Sequence, residues 1–320
     1  MKITILFLLV CFFSFQFGFS QYTDVINSNR PGNSMSAFSV GKKVIQIESG
    51  VSLINEKHEI LDYSANGYFS DFVLRYGIFK EELEAIMDVN YQSDTYYADD
   101  LIKKRTGIKA STLGFKYLVY DPFKNYEETP NLLSWKANHK FKWHQFIPAV
   151  SGFAGMNLNF SSNPFLYTDE KLSRISPKVM VVTQNIFTGA WVLVTNIYLD
   201  KISTKSQSTG YVITLTKGFN DQWSGFIENK GIRGTYYADG IFTIGAAYLF
   251  SKNLQVDASI SKNYKTTPSL LYGGFGISWR SDTNYQKVLL KDKKKDKKKD
   301  KSVKGKDKEK AKKRLDEGQF

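Results

Sequence analysis

The stretch Glu82-Leu83-Glu84-Ala85-Ile86-Met87-Asp88-Val89-Asn90-Tyr91 sorts into two sets when every second residue is taken. Leu83, Ala85, Met87, Val89 and Tyr91 form one, and Glu82, Glu84, Ile86, Asp88 and Asn90 the other. A helix would scatter both sets around its axis, whereas a strand sends successive side chains to opposite faces. The same division separates Ile45, Ile47, Val51 and Leu53 from Gln46, Glu48 and Ser52, and Phe72, Leu74, Tyr76 and Ile78 from Asp71, Arg75 and Gly77. It returns in Leu113, Phe115, Tyr117 and Val119 against Thr112, Gly114 and Lys116, and in Leu254, Val256, Ala258 and Ile260 against Gln255, Asp257 and Ser259. Alternation alone does not choose between a membrane barrel and a soluble sandwich, because both alternate.

Spacing chooses. About twelve segments of strand length fall near residues 43–54, 68–78, 82–92, 108–120, 144–160, 176–187, 190–199, 208–219, 223–230, 240–250, 254–261 and 269–280. Their length of about ten residues is what a tilted strand needs to cross a bilayer. Connections after the second, sixth, eighth and tenth are tight, and those after the odd-numbered strands are mostly longer and polar. This asymmetry predicts an all-β fold: a transmembrane antiparallel β-barrel of about 12 strands over residues 43–280, with both termini periplasmic. Residues 121–142 break the pattern, being long on the short-turn side, with a short helix expected around Leu132 to His139. Tyr76, Tyr91, Tyr117, Trp191, Trp223 and Trp279 fall near expected strand ends, where amphipathic rings meet the bilayer interface.

The rest of the chain agrees with an envelope protein. Lys2, the apolar run Ile3 to Phe17 and Gly18-Phe19-Ser20 read as a signal peptide over residues 1–20. The single cysteine, Cys11, falls within it, so the mature chain is expected to hold neither disulfide nor thiolate metal site. Aromatic residues make up 15% of the chain, with 24 Phe, 19 Tyr and 5 Trp, and no apolar run after residue 20 is long enough for a membrane-spanning helix. Most of the +13 net charge sits at one end: Lys287 to Phe320 carries 15 Lys and one Arg against seven acidic residues. Residues 281–320 therefore read as a disordered Lys/Asp-rich tail, expected in the periplasm. Lys287–Phe320 would be drawn there to an anionic envelope component or a periplasmic protein, and not to nucleic acid.

Arg30-Pro31-Gly32, followed by Gly41-Lys42-Lys43-Val44-Ile45-Gln46-Ile47-Glu48-Ser49-Gly50, resembles the opening of the outer-membrane transporter-like family named for the MetA pathway of phenol degradation. Leu74-Arg75-Tyr76-Gly77-Ile78 with Glu82-Leu83-Glu84 resembles that family's second hairpin. The likeness continues through Leu113 to Tyr117 and Phe226-Ile227-Glu228 to the closing Leu254 to Ser259 and Gly274 to Arg280. It implies an outer-membrane β-barrel with a transport role for small, hydrophobic or aromatic solutes. Two departures stand out: Gly32 replaces the acidic residue usual after the Arg-Pro pair, and a basic tail follows the last strand.

Chemistry-bearing residues are few. His58, His139 and His144 have no metal-ligand spacing backed by an acidic partner, and no catalytic set, metal site or cofactor is expected. Gly273-Gly274-Phe275-Gly276 opens no helix and so does not suggest phosphate binding. The inward polar set is the candidate site: Glu48, Asp71, Arg75, Glu82, Glu84, Asp88, Lys116, Glu228, Asp257 and Arg280. In a barrel these line the lumen, either as structural ion pairs or along a solute path, with Glu48, Arg75 and Arg280 expected to meet where the first and last strands close. Two functions stay open at this stage. One is a channel admitting a small solute; the other is a non-conducting accessory barrel plugged by residues 21–42, its tail docking a periplasmic partner.

Overall fold

The structure, a computed structural model, describes residues 25–99, 101–124, 143–159, 163–165 and 173–281. The expected signal peptide with Cys11, the helix around Leu132 to His139 and the basic tail after Ser281 lie outside the described residues.

Twelve strands follow one another: β1 (Ile45–His58), β2 (Tyr63–Gly77), β3 (Leu83–Ala98), β4 (Leu101–Tyr120), β5 (Ala149–Leu158), β6 (Ile175–Phe187), β7 (Trp191–Asp200), β8 (Ser208–Gly218), β9 (Trp223–Gly234), β10 (Ala238–Ser251), β11 (Leu254–Asn263) and β12 (Ser269–Ser281). Each pairs antiparallel with its sequence neighbours, and β12 returns to β1 from Ile45↔Ser281 to Lys57↔Ser269, closing a barrel. An even strand count puts the start of β1 and the end of β12 on one rim, called here the terminal rim.

Strand positions agree closely with the spacing at the terminal rim and depart from it at the far rim. Residues 93–107 read as a loop, yet β3 and β4 run on through them, from Ser93↔Thr106 to Ala98↔Leu101. β1 and β2 likewise continue across most of 55–67. These extensions mix polar and apolar residues on both faces, because a strand that has passed beyond the lipid has no reason to keep a uniformly apolar outer side. The segment 144–160 also differs. It opens as a 3-10 turn, Trp143–Phe146, and β5 starts only at Ala149, after Pro148, which has no N–H to give to a ladder.

The wall is packed inside out. Phe275 is 70% exposed on the outer face, in company with Val51, Phe115, Ile197, Ile213 and Ile244. Facing inward, Gln46, Glu48, Arg75, Glu84, Lys116 and Asn196 are completely buried. In water this arrangement forfeits about 25 cal/mol for every Å² of apolar surface left outside, whereas in lipid it is the favoured one. The protein is a transmembrane β-barrel. Tyr76, Tyr117, Trp191, Trp223 and Trp279 all point outward near the terminal rim, where an interfacial girdle belongs. Tyr91 does not join them: with β3 extended it sits mid-strand, its ring 6.2 Å from that of Tyr68.

One irregularity changes which residues reach the lumen. The β3–β4 register passes from Asn90↔Ala110 to Tyr91↔Ile108, leaving Lys109 as an extra residue. A bulge of this kind shifts the alternation by one. Beyond it the odd-numbered residues of β4, Lys109 and Arg105, face inward, and Arg105 pairs with Asp94 at 2.8 Å.

Candidate functional site

Residues 25–44 lie inside the barrel and make one circuit of its wall. Ser28 bonds Ser278 on β12, and the Asn29 amide donates to the Glu48 carboxylate on β1. Arg30 reaches Asp257 on β11 and Asp71 on β2. Asn33 then donates to Glu228 on β9, and Met35 exchanges two hydrogen bonds with Asn196 on β7. Ser36 and the Ala37 amide donate to Gln184 on β6, Ser151 on β5 donates to the Ala37 carbonyl, and Lys116 on β4 donates to the Phe38 carbonyl. The Val40 amide ends the circuit on Glu84 of β3. An irregular backbone in a lumen must find partners for its N–H and C=O groups, and these inward side chains supply them.

The segment has an apolar side as well. Ala37 and Phe38 pack with Leu118, Ala149, Val182 and Val194, edged by Met35, Phe123 and Met180. Burying a side chain such as Phe38 contributes about 1.5–3 kcal/mol.

Four completely buried charges form a chain under this core. Glu48 meets Arg75 at 3.3 Å, Arg75 meets Glu84 at 3.0 Å, and Glu84 meets Lys116 at 2.7 Å. Alternating signs cancel, and the spare donors go to the segment: Arg75 to the carbonyls of Asn27 and Phe38, Lys116 to that of Ser36. Arg280, expected beside Glu48, turns away to Asn253 Oδ1 at 2.9 Å and the Val25 carbonyl at 3.2 Å. Glu82, expected on the inward face of a strand, precedes β3 in the turn at the terminal rim and meets Lys124 at 3.4 Å.

Arg30 occupies a socket made by one row of the sheet. Gly50 is the register partner of both Asp71 and Gly276, and Gly276 is the partner of Asp257, so β2, β1, β12 and β11 present Asp-Gly-Gly-Asp side by side. A Cβ at either glycine would collide with the guanidinium. Arg30 Nε and Nη2 lie 3.3 and 3.1 Å from the Asp257 carboxylate, and Gln255 holds the Arg30 carbonyl at 3.2 Å. Glu228 is filled in the same manner, by the Asn33 and Ser34 amides, the Asn33 side chain and Thr214. Gly32 belongs here too: a Cβ on it would strike the Glu228 carboxylate, so at the position that departs from the family pattern any larger residue would have to push Glu228 from its place.

Of the ten inward candidates, Glu48, Arg75, Glu84 and Lys116 are thus brought together, and Asp71 and Asp257 meet through Arg30. Glu228 stands apart on β9, and Asp88 accepts a bond from its own strand neighbour Asn90 at 3.0 Å. Three lumenal lysines were not among the candidates: Lys109, Lys178 and Lys230. Strict alternation would turn Lys109 outward, and only the bulge brings it in. Lys178 and Lys230 follow the simple alternation and could have been read from it. Among the described residues no cluster of His, Cys, Asp or Glu is arranged to hold a metal. His58 accepts from the Leu61 amide and His144 bonds the Pro122 carbonyl.

The family described as "Putative MetA-pathway of phenol degradation" matches residues 28–281. The chain belongs to this family. No curated protein matches the sequence. Among solved structures, an outer-membrane channel from Pseudomonas putida F1 aligns with 79% of this chain and 100% of its own, at a TM-score of 0.51 and 10% identity. The translocator domain of the autotransporter NalP from Neisseria meningitidis covers 79% and 90%, at a TM-score of 0.45 and 11% identity. The CymD monoaromatic hydrocarbon channel covers 75% and 88%, at 0.38 and 11%. At such identities the likeness concerns the fold.

Proposed function

We propose that the protein is an outer-membrane channel for small solutes, its lumen narrowed at the terminal rim by residues 25–44, and not an enzyme. The observation that carries this reading is the division of labour in the lumen. The segment takes up Glu48, Asp71, Glu84, Glu228 and Asp257, while Lys109, Lys178 and Asp88 beyond it, and Lys230 at its edge beside Asn33, remain partly exposed to water. Charged groups kept wet inside a barrel are what a solute path requires, whereas a purely structural interior has no use for them. Inward-facing Phe69, Tyr96 and Tyr198 give the path an apolar component suited to solutes with an aromatic or hydrophobic body. The terminal rim is taken to be periplasmic, from which the Lys287–Phe320 tail would reach an anionic envelope component or a periplasmic protein.

The circuit of bonds made by residues 25–44 also favours a second reading, an accessory barrel that stays shut. Planar-bilayer recording on the purified full chain separates the two. The channel reading expects a small conductance that grows when Arg30 is replaced by Ala and the segment loses its socket. A wild type and an Arg30→Ala variant that are both folded and both silent would leave the accessory barrel as the better account.

A further inference from the structure

The three lumenal lysines are the charges that the N-terminal segment engages least: of the three it touches Lys230 alone, through the side-chain oxygen of Asn33. Among the described residues none has a carboxylate at ion-pair distance. Lys109 donates to the amide oxygen of Gln92 at 2.8 Å and stands 5.9 Å from the centre of the Phe69 ring. Lys178 stands 5.7 Å from the centre of the Tyr198 ring, and Lys230 donates to Asn33 Oδ1 at 3.1 Å. Lys230 lies within the electrostatic reach of Lys178 and of Lys109. The carboxylates around them are engaged elsewhere: near Lys109, Asp94 is paired with Arg105 and Glu56 accepts from Tyr63, while Asp200 accepts from Asn157 and from the Lys201 amide, Glu228 from the N-terminal segment, and Asp88 from Asn90. The two rings stand close to the ammonium groups. Tyr198 lies across Gly210, where a Cβ would meet its hydroxyl, so its ring is laid along the wall.

We propose that Lys109, Lys178 and Lys230, with Phe69 and Tyr198, form a subsite for a small organic monoanion: a carboxylate set among the ammonium groups, its apolar or aromatic body against the rings. The subsite deepens the channel reading by naming the charge and shape of the solute, and it rests on that reading for its place in transport. Three ammonium groups in a confined lumen attract an anion more strongly than the same groups on an open surface, because low-dielectric walls focus their field. Asp88 and Asp200 temper the attraction, which suits a site that must also let its occupant go. They also disfavour a second negative charge on the solute.

The test uses the purified full chain and sodium benzoate as the probe, with benzylammonium chloride and sodium acetate as controls, read by calorimetry in detergent and by reversal potential in a planar bilayer. Benzoate should bind more tightly than acetate, and benzylammonium should not compete. In a Lys178→Gln/Lys230→Gln protein, benzoate affinity should fall about ten-fold or more and the reversal potential should move towards cation preference, while Lys178→Arg/Lys230→Arg keeps both. Benzylammonium binding as well as benzoate, or benzoate binding that ignores the double Gln change in a barrel still resistant to heat on a gel, overturns the subsite. Current without benzoate binding would remove the subsite and leave the channel; benzoate binding without current would do the reverse.

Discussion

Gly50 and Gly276 face each other across the β1–β12 seam, and the guanidinium of Arg30 lies against both. Between them they make a flat place in a wall of side chains, and Asp71 and Asp257 in the same row supply its charge. Gly276→Ala should therefore unseat Arg30 at an overpacking cost of about 1–3 kcal/mol. The expected outcome is a folded barrel that loses heat resistance on a gel and passes more current in a bilayer. If both properties stay at wild-type values, Arg30 is not held there.

Arg75 is the hub of the buried charges, since it alone faces both Glu48 and Glu84. Arg75→Met leaves Glu84 with Lys116 but strips Glu48 of the one cation that pairs with it among the described residues, a loss of about 3–5 kcal/mol for a buried charge without a partner. A second change, Glu48→Gln, should restore part of that stability. Heat-resistance curves for the two single variants and the double variant measure the coupling, and strict additivity would mean that the pair does not interact.

The two faces of β3 should respond differently to substitution. Met87 turns to lipid, so Met87→Arg should cost about 2–4 kcal/mol and reduce assembly into membranes. Glu84→Gln should leave assembly intact and weaken the folded state instead, because Glu84 holds Arg75, Lys116 and the Val40 amide. Quantifying membrane-inserted and heat-resistant fractions for both variants checks the assignment; the same response at both positions would reverse the faces.

Orientation is open to labelling. Asn220 lies in the β8–β9 turn on the terminal rim, and Thr204 in the β7–β8 loop on the far rim. Single cysteines at these positions, treated with a membrane-impermeant maleimide on intact cells, should react only at Thr204. Reaction at Asn220 would place the terminal rim outside.

What the sequence discloses follows from where lipid constrains it. In Glu82 to Tyr91 the outer face must be apolar and the inner face polar, so alternation is strong and the strand can be read directly. Past Gln92 the outer face meets water and Lys104 and Thr106 become acceptable there; the contrast fades, and a strand resembles a loop. The bulge at Lys109 is silent in the sequence because one inserted residue alters no composition, only parity. The circuit of residues 25–44 is illegible for a different reason. Many of its bonds run from backbone groups, which every residue carries, to side chains as far as 255 positions away. Arg30 could have been suspected as the single charge in the polar stretch 25–41, but nothing in its neighbours names Asp71 or Asp257.

The seat of Arg30 also bears on how the barrel is assembled. The N-terminal segment is made first, yet its partners on β1 through β7, β9, β11 and β12 are complete only once the last strand has met the first. Arg30 joins β2 to β11, one strand in from each side of the closing seam. A slip of β12 by one residue against β1 would part Gly50 from Gly276 and carry Asp257 out of the row, leaving the guanidinium nowhere to lie. A mispaired seam thus gives the segment no seat, so the segment's contacts favour this register of closure over its neighbours.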